Sequence, residues 1–139
     1  MGFLTDDFLD LVLDALWGDP GDVVWTPPAT WYIALFEVMP DTDGTGGTEA
    51  SYTDYDRAAV ANDLTNWPAA SAGLKSNAGT ISYGVAGSGP TNVVGFGFYD
   101  DPTAGDLWAA VELTGAPVTI NNGADVSFQP GAIDLTRCA

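Results

Sequence analysis

The segment from residue 29 to residue 36 restricts the fold more than any other part of the sequence. It reads ATWYIALF, and the stretch over residues 31–38 is apolar at both alternating sets of positions rather than at one. A strand with two apolar faces is typical of a strand buried within a sandwich of sheets. Residues 31–38 are therefore predicted to form such a strand.

Short strands are predicted along the remainder of the chain. Strand-forming runs separated by Gly-, Asp- and Asn-rich turns lie at residues 79–85, 93–99, 107–113, 117–120, 126–128 and 132–135, and a weaker, alanine-rich one lies at 55–64. Residues 41–53 are too rich in Gly, Thr and Asp for regular structure. Seven or eight short strands at close spacing predict a mainly β protein, an antiparallel, jelly-roll-like β-sandwich.

One short α-helix is predicted at the N-terminal end, over about residues 6–17. Thr5 is the expected N-cap, and the acidic residues that follow it suit the helix dipole. Gly18, Pro20 and Gly21 are expected to end the helix. With 139 residues, the chain is predicted to be a single domain, with the helix in 1–18 and the sandwich in 25–136.

The predicted helix is amphipathic. One face carries the acids Asp6, Asp10 and Asp14, and the other is apolar. The apolar residues are Phe8, Leu9, Val12, Leu13, Leu16 and Trp17. This apolar face is predicted to cover one end of the protein's own sheet. The alternative is that it docks on another subunit, with Phe8, Val12, Leu16 and Trp17 as the candidates for contact with a partner.

The charge of the chain excludes several classes of partner. Three basic residues face 19 acidic ones, giving a formal net charge of −16. Binding to nucleic acid needs clustered Lys and Arg to neutralise phosphates, and the sequence has no such cluster. Neither a nucleic-acid partner nor an anionic membrane is therefore expected. The single cysteine, Cys138, excludes an internal disulfide framework and is interpreted as a free thiol.

The sequence contains no recognisable catalytic constellation. It has no histidine, so histidine-based nucleophile activation and histidine metal sites are excluded, and it has no phosphate-binding loop. No enzymatic activity and no cofactor are expected. A weak candidate for a calcium site is the loop with Asp41, Asp43 and Glu49, but Tyr52 stands where a calcium loop has its bidentate Glu. A solvated loop without metal is the preferred interpretation.

Several motifs, in a shared order, resemble those of small structural proteins encoded by tailed phages and prophages and often labelled tail fibre proteins. The first is the apolar strand at 31–36, followed by GGTE at 46–49 and by Tyr55 and Arg57. SNA at 76–78, GFGFYD at 95–100 and the tail at 120–135 follow in the same order. This resemblance implies a β-sandwich virion protein.

The resemblance leaves three functions open. The preferred one is a protein on the exterior of the particle, as a capsid decoration or cement protein or the base of a head fibre. The alternative is a tail fibre or baseplate module for host attachment, and the second alternative is a free carbohydrate-binding domain. The expected partners are other copies of the chain, with a trimer as the favoured oligomer, and virion proteins such as the major capsid protein. The acidic start does not fit a signal peptide, so assembly in the host cytoplasm is expected.

Overall fold

The protein is described here by a computed structural model, which covers residues 2–17 and 26–136. These residues form one helix and twelve strands. In chain order they are β1 (Gly2–Leu4), α1 (Asp6–Trp17), β2 (Thr30–Val38), β3 (Thr48–Glu49), β4 (Ala58–Ala61), β5 (Leu74–Ser76), β6 (Ile81–Val85), β7 (Thr91–Val93), β8 (Gly95–Tyr99), β9 (Leu107–Glu112), β10 (Val118–Ile120), β11 (Asp125–Phe128) and β12 (Asp134–Thr136).

The largest sheet has six strands and is built around β2. Its order is β1-β9-β8-β2-β3, and β4 pairs with the first half of β2. The strand β2 lies antiparallel to β8, in a register that runs from Tyr32 opposite Tyr99 to Phe36 opposite Gly95. On its other side β2 pairs with β4 near residue 31 and with β3 near residue 36. The apolar segment found in the sequence is thus a central strand.

The strands from β5 to β12 form antiparallel ladders that are nested in sequence. The hairpin of β8 and β9 is innermost, and β7 with β10, β6 with β11 and β5 with β12 follow outward. Each pair is antiparallel because the chain runs out along one set of strands and returns along the other. The prediction of a mainly β, antiparallel fold with one short helix near the N-terminus is confirmed. The jelly-roll winding itself stays a prediction.

The core explains why β2 is apolar on both faces. Ile33 and Leu35 face a large cluster that includes Phe96 and Phe98 of β8. Ala34 and Phe36 point the other way, into a smaller cluster with Leu107 and Ala110, against which Phe3 and Met39 also pack. Successive side chains of a strand alternate between faces, so only a strand with two buried faces needs four consecutive buried apolar residues.

Several boundaries differ from those predicted. The helix agrees with the prediction, but β1, β3 and β5 were not predicted, and the expected strand over 93–99 is two strands separated at Val94. Because β1 precedes the helix and pairs with β9, the sheet is not confined to residues 25–136. Gly18, Pro20, Gly21, Trp25 and Cys138, on which other expectations rested, lie outside the described residues.

Thr5 occupies the predicted position before the helix, but its side chain acts differently from a simple cap. Its carbonyl accepts the N–H of Leu9, as expected for the residue that opens a helix. Its hydroxyl instead donates to the carbonyl of Trp108 at 3.4 Å, and thereby joins the helix start to β9. Within residues 2–17 and 26–136, α1 is far too short to cross a bilayer, and no helix qualifies as a membrane span.

Candidate functional site

A partly buried ion pair joins the GGTE and Tyr-x-Arg motifs found in the sequence. Arg57 Nη2 lies 2.9 Å from Glu49 Oε2, and Arg57 Nε donates to Glu49 Oε1 at 3.0 Å. The Arg57 side chain is 8% exposed. A bidentate pairing of this kind fixes both side chains, because the planar guanidinium matches the geometry of the carboxylate. The two motifs therefore meet in space as a single cluster.

Tyr55 links this ion pair to the central strand. Its hydroxyl donates to Glu49 Oε1 at 2.8 Å and accepts the backbone N–H of Leu35 at 2.9 Å. Burial raises the pKa of Tyr55 well above its ordinary value, and the charge of Glu49 raises it further. The phenol is consequently held in its neutral, hydrogen-bonding form.

Arg57 also binds the loop between β8 and β9. Its Nη1 donates to the carbonyls of Asp101 at 2.9 Å and of Ala104 at 2.7 Å, and its guanidinium carbon lies 3.6 Å from the centre of the Tyr99 ring. Burial by itself would lower the pKa of Arg57, but the hydrogen bonds and charge of Glu49 raise it above its ordinary value. The carboxylate and the guanidinium thus bind each other, and we call the cluster of Glu49, Tyr55 and Arg57 the clamp because it joins β3 and the segment before β4 to the β8–β9 loop.

Asn77 of the SNA motif is a second buried polar residue with a structural role. Its Nδ2 donates to the carbonyls of Gly79 and Gln129 at 2.8 and 2.9 Å, and its Oδ1 accepts the N–H of Ile133 at 2.9 Å. The side chain is 3% exposed. It therefore fastens the segment before β6 to the segment before β12.

The weak metal candidates are not brought together. Asp43 Oδ1 accepts the N–H and hydroxyl of Thr45 at 2.9 and 2.7 Å, and the hydrogen bond from the Thr45 backbone lowers the pKa of Asp43. Both oxygens of Glu49 are engaged by Arg57. Among residues 2–17 and 26–136, Asp41, Asp43 and Glu49 form no group that could hold a metal ion, nor do any other acidic residues.

A shallow groove of about 140 Å³ runs between β4 and the start of β6. Its lining consists of the β4 alanines and Val60 together with small polar residues such as Asn66, Thr80 and Ser82. No titratable side chain is among the residues that line it. The groove therefore offers no group for acid–base chemistry.

The helix α1 is attached to the body of the protein through its first turn. The Asp6 N–H donates to the carbonyl of Thr42 at 2.9 Å, and the Thr42 hydroxyl donates to the Asp6 carboxylate at 3.3 Å. Phe8 packs edge-on against Trp108 with ring centres 5.2 Å apart. These contacts all lie in the N-terminal half of the helix.

The rest of the helix carries an exposed apolar surface, which we call the α1 stripe. It consists of Leu9, Leu13, Leu16 and Trp17, whose exposed fractions are 42%, 43%, 64% and 78%. No residue of α1 is buried. The prediction that the apolar face covers the protein's own sheet is therefore wrong for these four residues, because only the side that carries Phe8 reaches the body.

The four predicted contact candidates fall into two groups. Leu16 and Trp17 are exposed, whereas Phe8 and Val12 are partly buried on the helix. Sequence reasoning did not assign Leu9 and Leu13 to the contact set, although they share the exposed side of the helix with Leu16. The spacing of residues 9, 13 and 16 could have placed Leu9 and Leu13 beside Leu16, because residues three and four apart lie on one face of a helix.

Comparison with known proteins gives one family. The family model described as "Podophage GP4 fiber I protein gp80" matches residues 11–136, which run from the middle of α1 to the end of β12. No curated protein matches the chain. The matched span includes the clamp, Asn77 and three of the four residues of the α1 stripe.

Proposed function

Because the chain belongs to the podophage GP4 fiber I protein gp80 family and is thus a phage virion structural protein, we propose that it is a subunit of an external fibre of the particle. The observation that carries this proposal is the extent of the match, which includes nearly every strand of the body. A match over residues 11–136 relates the strands from β2 to β12, rather than one motif, to that fibre protein family.

The clamp formed by Glu49, Tyr55 and Arg57 supports a mechanical role for the motifs that carry the resemblance. Glu49, Tyr55 and Arg57 form hydrogen bonds with one another, with the Leu35 N–H and with carbonyls of the β8–β9 loop. A protein that transmits attachment forces needs a stable body more than a reactive pocket. In this proposal Glu49, Tyr55 and Arg57 stabilise the fold, and the exposed surfaces contact other virion proteins.

The charge favours a position on the outside of the particle. Arg57 is buried in its ion pair, and Lys75 uses its ammonium group to bind the carbonyl of Pro68 at 3.1 Å. The exposed acids of α1, such as Asp10 and Asp14, have no basic residue beside them on the helix. A surface that faces packaged DNA would require the opposite sign.

Assembly into a homo-oligomer, with a trimer as the expected form, is part of the proposal. Symmetric closure is the usual way in which identical chains assemble. Light scattering on the purified protein gives its mass in solution. A chain that is monomeric both in solution and on the particle would contradict this part.

Capsid decoration is the second candidate, and it is favoured by the β-rich body of residues 2–17 and 26–136, which contains no long stalk within those ranges. The two locations differ in copy number, so quantitative mass spectrometry of purified particles distinguishes them. We expect a few to some tens of copies relative to the major capsid protein, with antibody–gold label at the tail or vertex. Hundreds of copies with label over the whole head would replace the fibre role with decoration.

A free carbohydrate-binding domain has less support. Sugar platforms are built from exposed aromatic rings, and Trp67 is 2% exposed while Trp31 and Trp108 are partly buried in packing. Among the tryptophans in the described part of the chain, only Trp17 is exposed. One exposed ring on a helix end does not form a platform.

A further inference from the structure

We propose that the α1 stripe is the attachment surface of the chain, and that its occupant is a different virion protein with an apolar groove rimmed by Lys and Arg. This inference rests on the proposed function and names the chemistry of the partner. Leu9, Leu13, Leu16 and Trp17 lie at the i, i+4, i+7 and i+8 positions by which a helix inserts into a groove.

The way the helix is attached leaves this surface available. The hydrogen bonds that anchor α1 involve Thr5 and Asp6, and the ring contact involves Phe8. From Leu9 to Trp17 the exposed fraction of the stripe rises from 42% to 78%. The helix is thus held through its N-terminal half, and the exposure of the stripe increases toward its C-terminal end.

The acidic residues beside the stripe determine which kind of partner surface is complementary to it. Asp10 lies three residues before Leu13, and Asp14 lies three residues before Trp17, so each acid is a surface neighbour of a stripe residue. Asp6 and Asp7 add two further negative charges, and the helix has no basic residue. An apolar groove with a basic rim is complementary to this arrangement in both polarity and charge.

A second copy of α1 is a poorer occupant. Pairing two such helices would bring two rows of acids together, on chains that each carry a formal charge of −16. The leucine spacing also extends over only two turns, whereas a coiled coil needs three to four heptads. The homo-oligomer expected for the protein would therefore use a different surface.

The test measures binding of the purified, labelled full chain to phage particles assembled without this protein, by co-sedimentation over a series of sodium chloride concentrations. We expect wild type to bind and its affinity to fall with salt. The variants Leu13→Ser and Leu16→Ser should each weaken binding by about tenfold or more, as expected for loss of an anchor that contributes roughly 1.4 kcal/mol. Leu64→Ser is the matched control, because Leu64 is 70% exposed and lies outside the helix.

A second pair of variants tests the charge. Asp14→Asn should weaken binding and reduce its salt dependence, whereas Asp56→Asn, at another exposed acid, should change neither. The melting temperature of each variant shows that the body remains folded, since the residues changed are at the surface.

The outcomes separate this inference from the proposed function. Binding of Leu13→Ser and Leu16→Ser equal to that of wild type would overturn the attachment surface and leave the fibre role intact. An oligomer of the free protein that these two variants dissociate would overturn the choice of partner in favour of a second copy. Wild type that neither binds the particles nor occurs in native ones would refute the fibre role itself.

Discussion

At the scale of single residues, two stacked tyrosines with different hydrogen bonding give a direct test of the clamp. The rings of Tyr55 and Tyr83 are 6.3 Å apart and nearly parallel. The Tyr55 hydroxyl has two partners, whereas the Tyr83 hydroxyl is buried and has none within the described residues.

Tyr55→Phe should therefore destabilise the protein and Tyr83→Phe should not. Loss of the Tyr55 hydroxyl leaves the Leu35 N–H unpaired and removes a bond to Glu49, which costs about 1–3 kcal/mol. Removing the unpaired Tyr83 hydroxyl should leave the free energy of unfolding unchanged or slightly higher. Urea denaturation of both variants provides the measurement, and equal losses of stability would contradict this account of the clamp.

The same tyrosines predict a loss of stability in alkali. Burial raises the pKa values of Tyr52, Tyr55, Tyr83 and Tyr99 above those of the unfolded chain. A raised pKa contributes stability that is present below the unfolded value of about 10 and is lost as the pH rises above it. The urea midpoint should fall above pH ~10, and it should fall less steeply in Tyr83→Phe. A midpoint that does not change in that range would exclude the buried phenols as the cause.

Replacing Asn77 should destabilise the protein much more than replacing an exposed asparagine. Asn77→Ala leaves two carbonyls and the N–H of Ile133 without their partner in a buried site, and we expect a loss of about 3 kcal/mol or more. Asn122→Ala, at an exposed turn, is the control and should change stability by less than about 0.5 kcal/mol. Similar midpoints for the two variants in denaturant would show that Asn77 does not fasten the two segments.

These residue roles were only partly visible in the sequence. The motifs with Glu49, Tyr55, Arg57 and Asn77 were recognised by their order, but their partners were not. Arg57 binds carbonyls more than forty residues away, in a loop whose own sequence signals only a turn. Long-range side-chain pairing depends on the fold as a whole, and local spacing does not encode it.

At the scale of secondary structure, the alternation of Gly and Phe in β8 has a packing cause. Phe96 and Phe98 fill the large cluster, and Gly95 and Gly97 leave room on the opposite face. A Cβ at Gly97 would lie 2.7 Å from Phe36 Cε2 and 2.8 Å from Leu107 Cδ1. The small cluster therefore depends on the absence of side chains at these positions.

Gly97→Ala should accordingly lower the free energy of unfolding, by about 1–3 kcal/mol, because the added methyl group overpacks the small cluster. Gly79→Ala is the matched control, since a Cβ there meets nothing within 4 Å. Thermal unfolding of the two variants gives the comparison. A Gly97→Ala protein as stable as Gly79→Ala would mean that Phe36 and Leu107 move aside without cost.

The elements themselves were predicted to differing degrees. The helix was found because its apolar period extends over 12 residues, and the central strand was found because its apolar run is almost continuous. The strands β1, β3 and β5 are two or three residues long, too short for any period to be detected. The exposure of the α1 stripe was not predicted either. An apolar helix face indicates that the face is buried, but not whether it is buried in its own chain or against a partner.

At the scale of the whole molecule, repulsion among the acidic residues lowers the stability that packing of the core provides. The formal charge is −16, and the pairing of Arg57 with Glu49 is the salt bridge found within residues 2–17 and 26–136. Because Arg57 is 8% exposed, added salt screens this attraction little. The repulsion among exposed acids, including Asp6, Asp10 and Asp14 along α1, is screened far more.

Added sodium chloride should therefore raise the melting temperature, and most of the increase should occur between low and moderate salt. Over that range the screening length falls from about 30 Å at 0.01 M to about 8 Å at physiological strength. Replacing Asp6, Asp10 and Asp14 together by Asn should reduce the salt dependence, since it removes one row of repelling charges.

Magnesium and calcium at matched ionic strength should add nothing further, because Asp43 already accepts two bonds from Thr45 and Glu49 is held by Arg57. A melting temperature that is flat or falls over this range would refute the repulsion argument, and a calcium-specific rise abolished by Asp43→Asn would show that the 41–49 loop binds the ion.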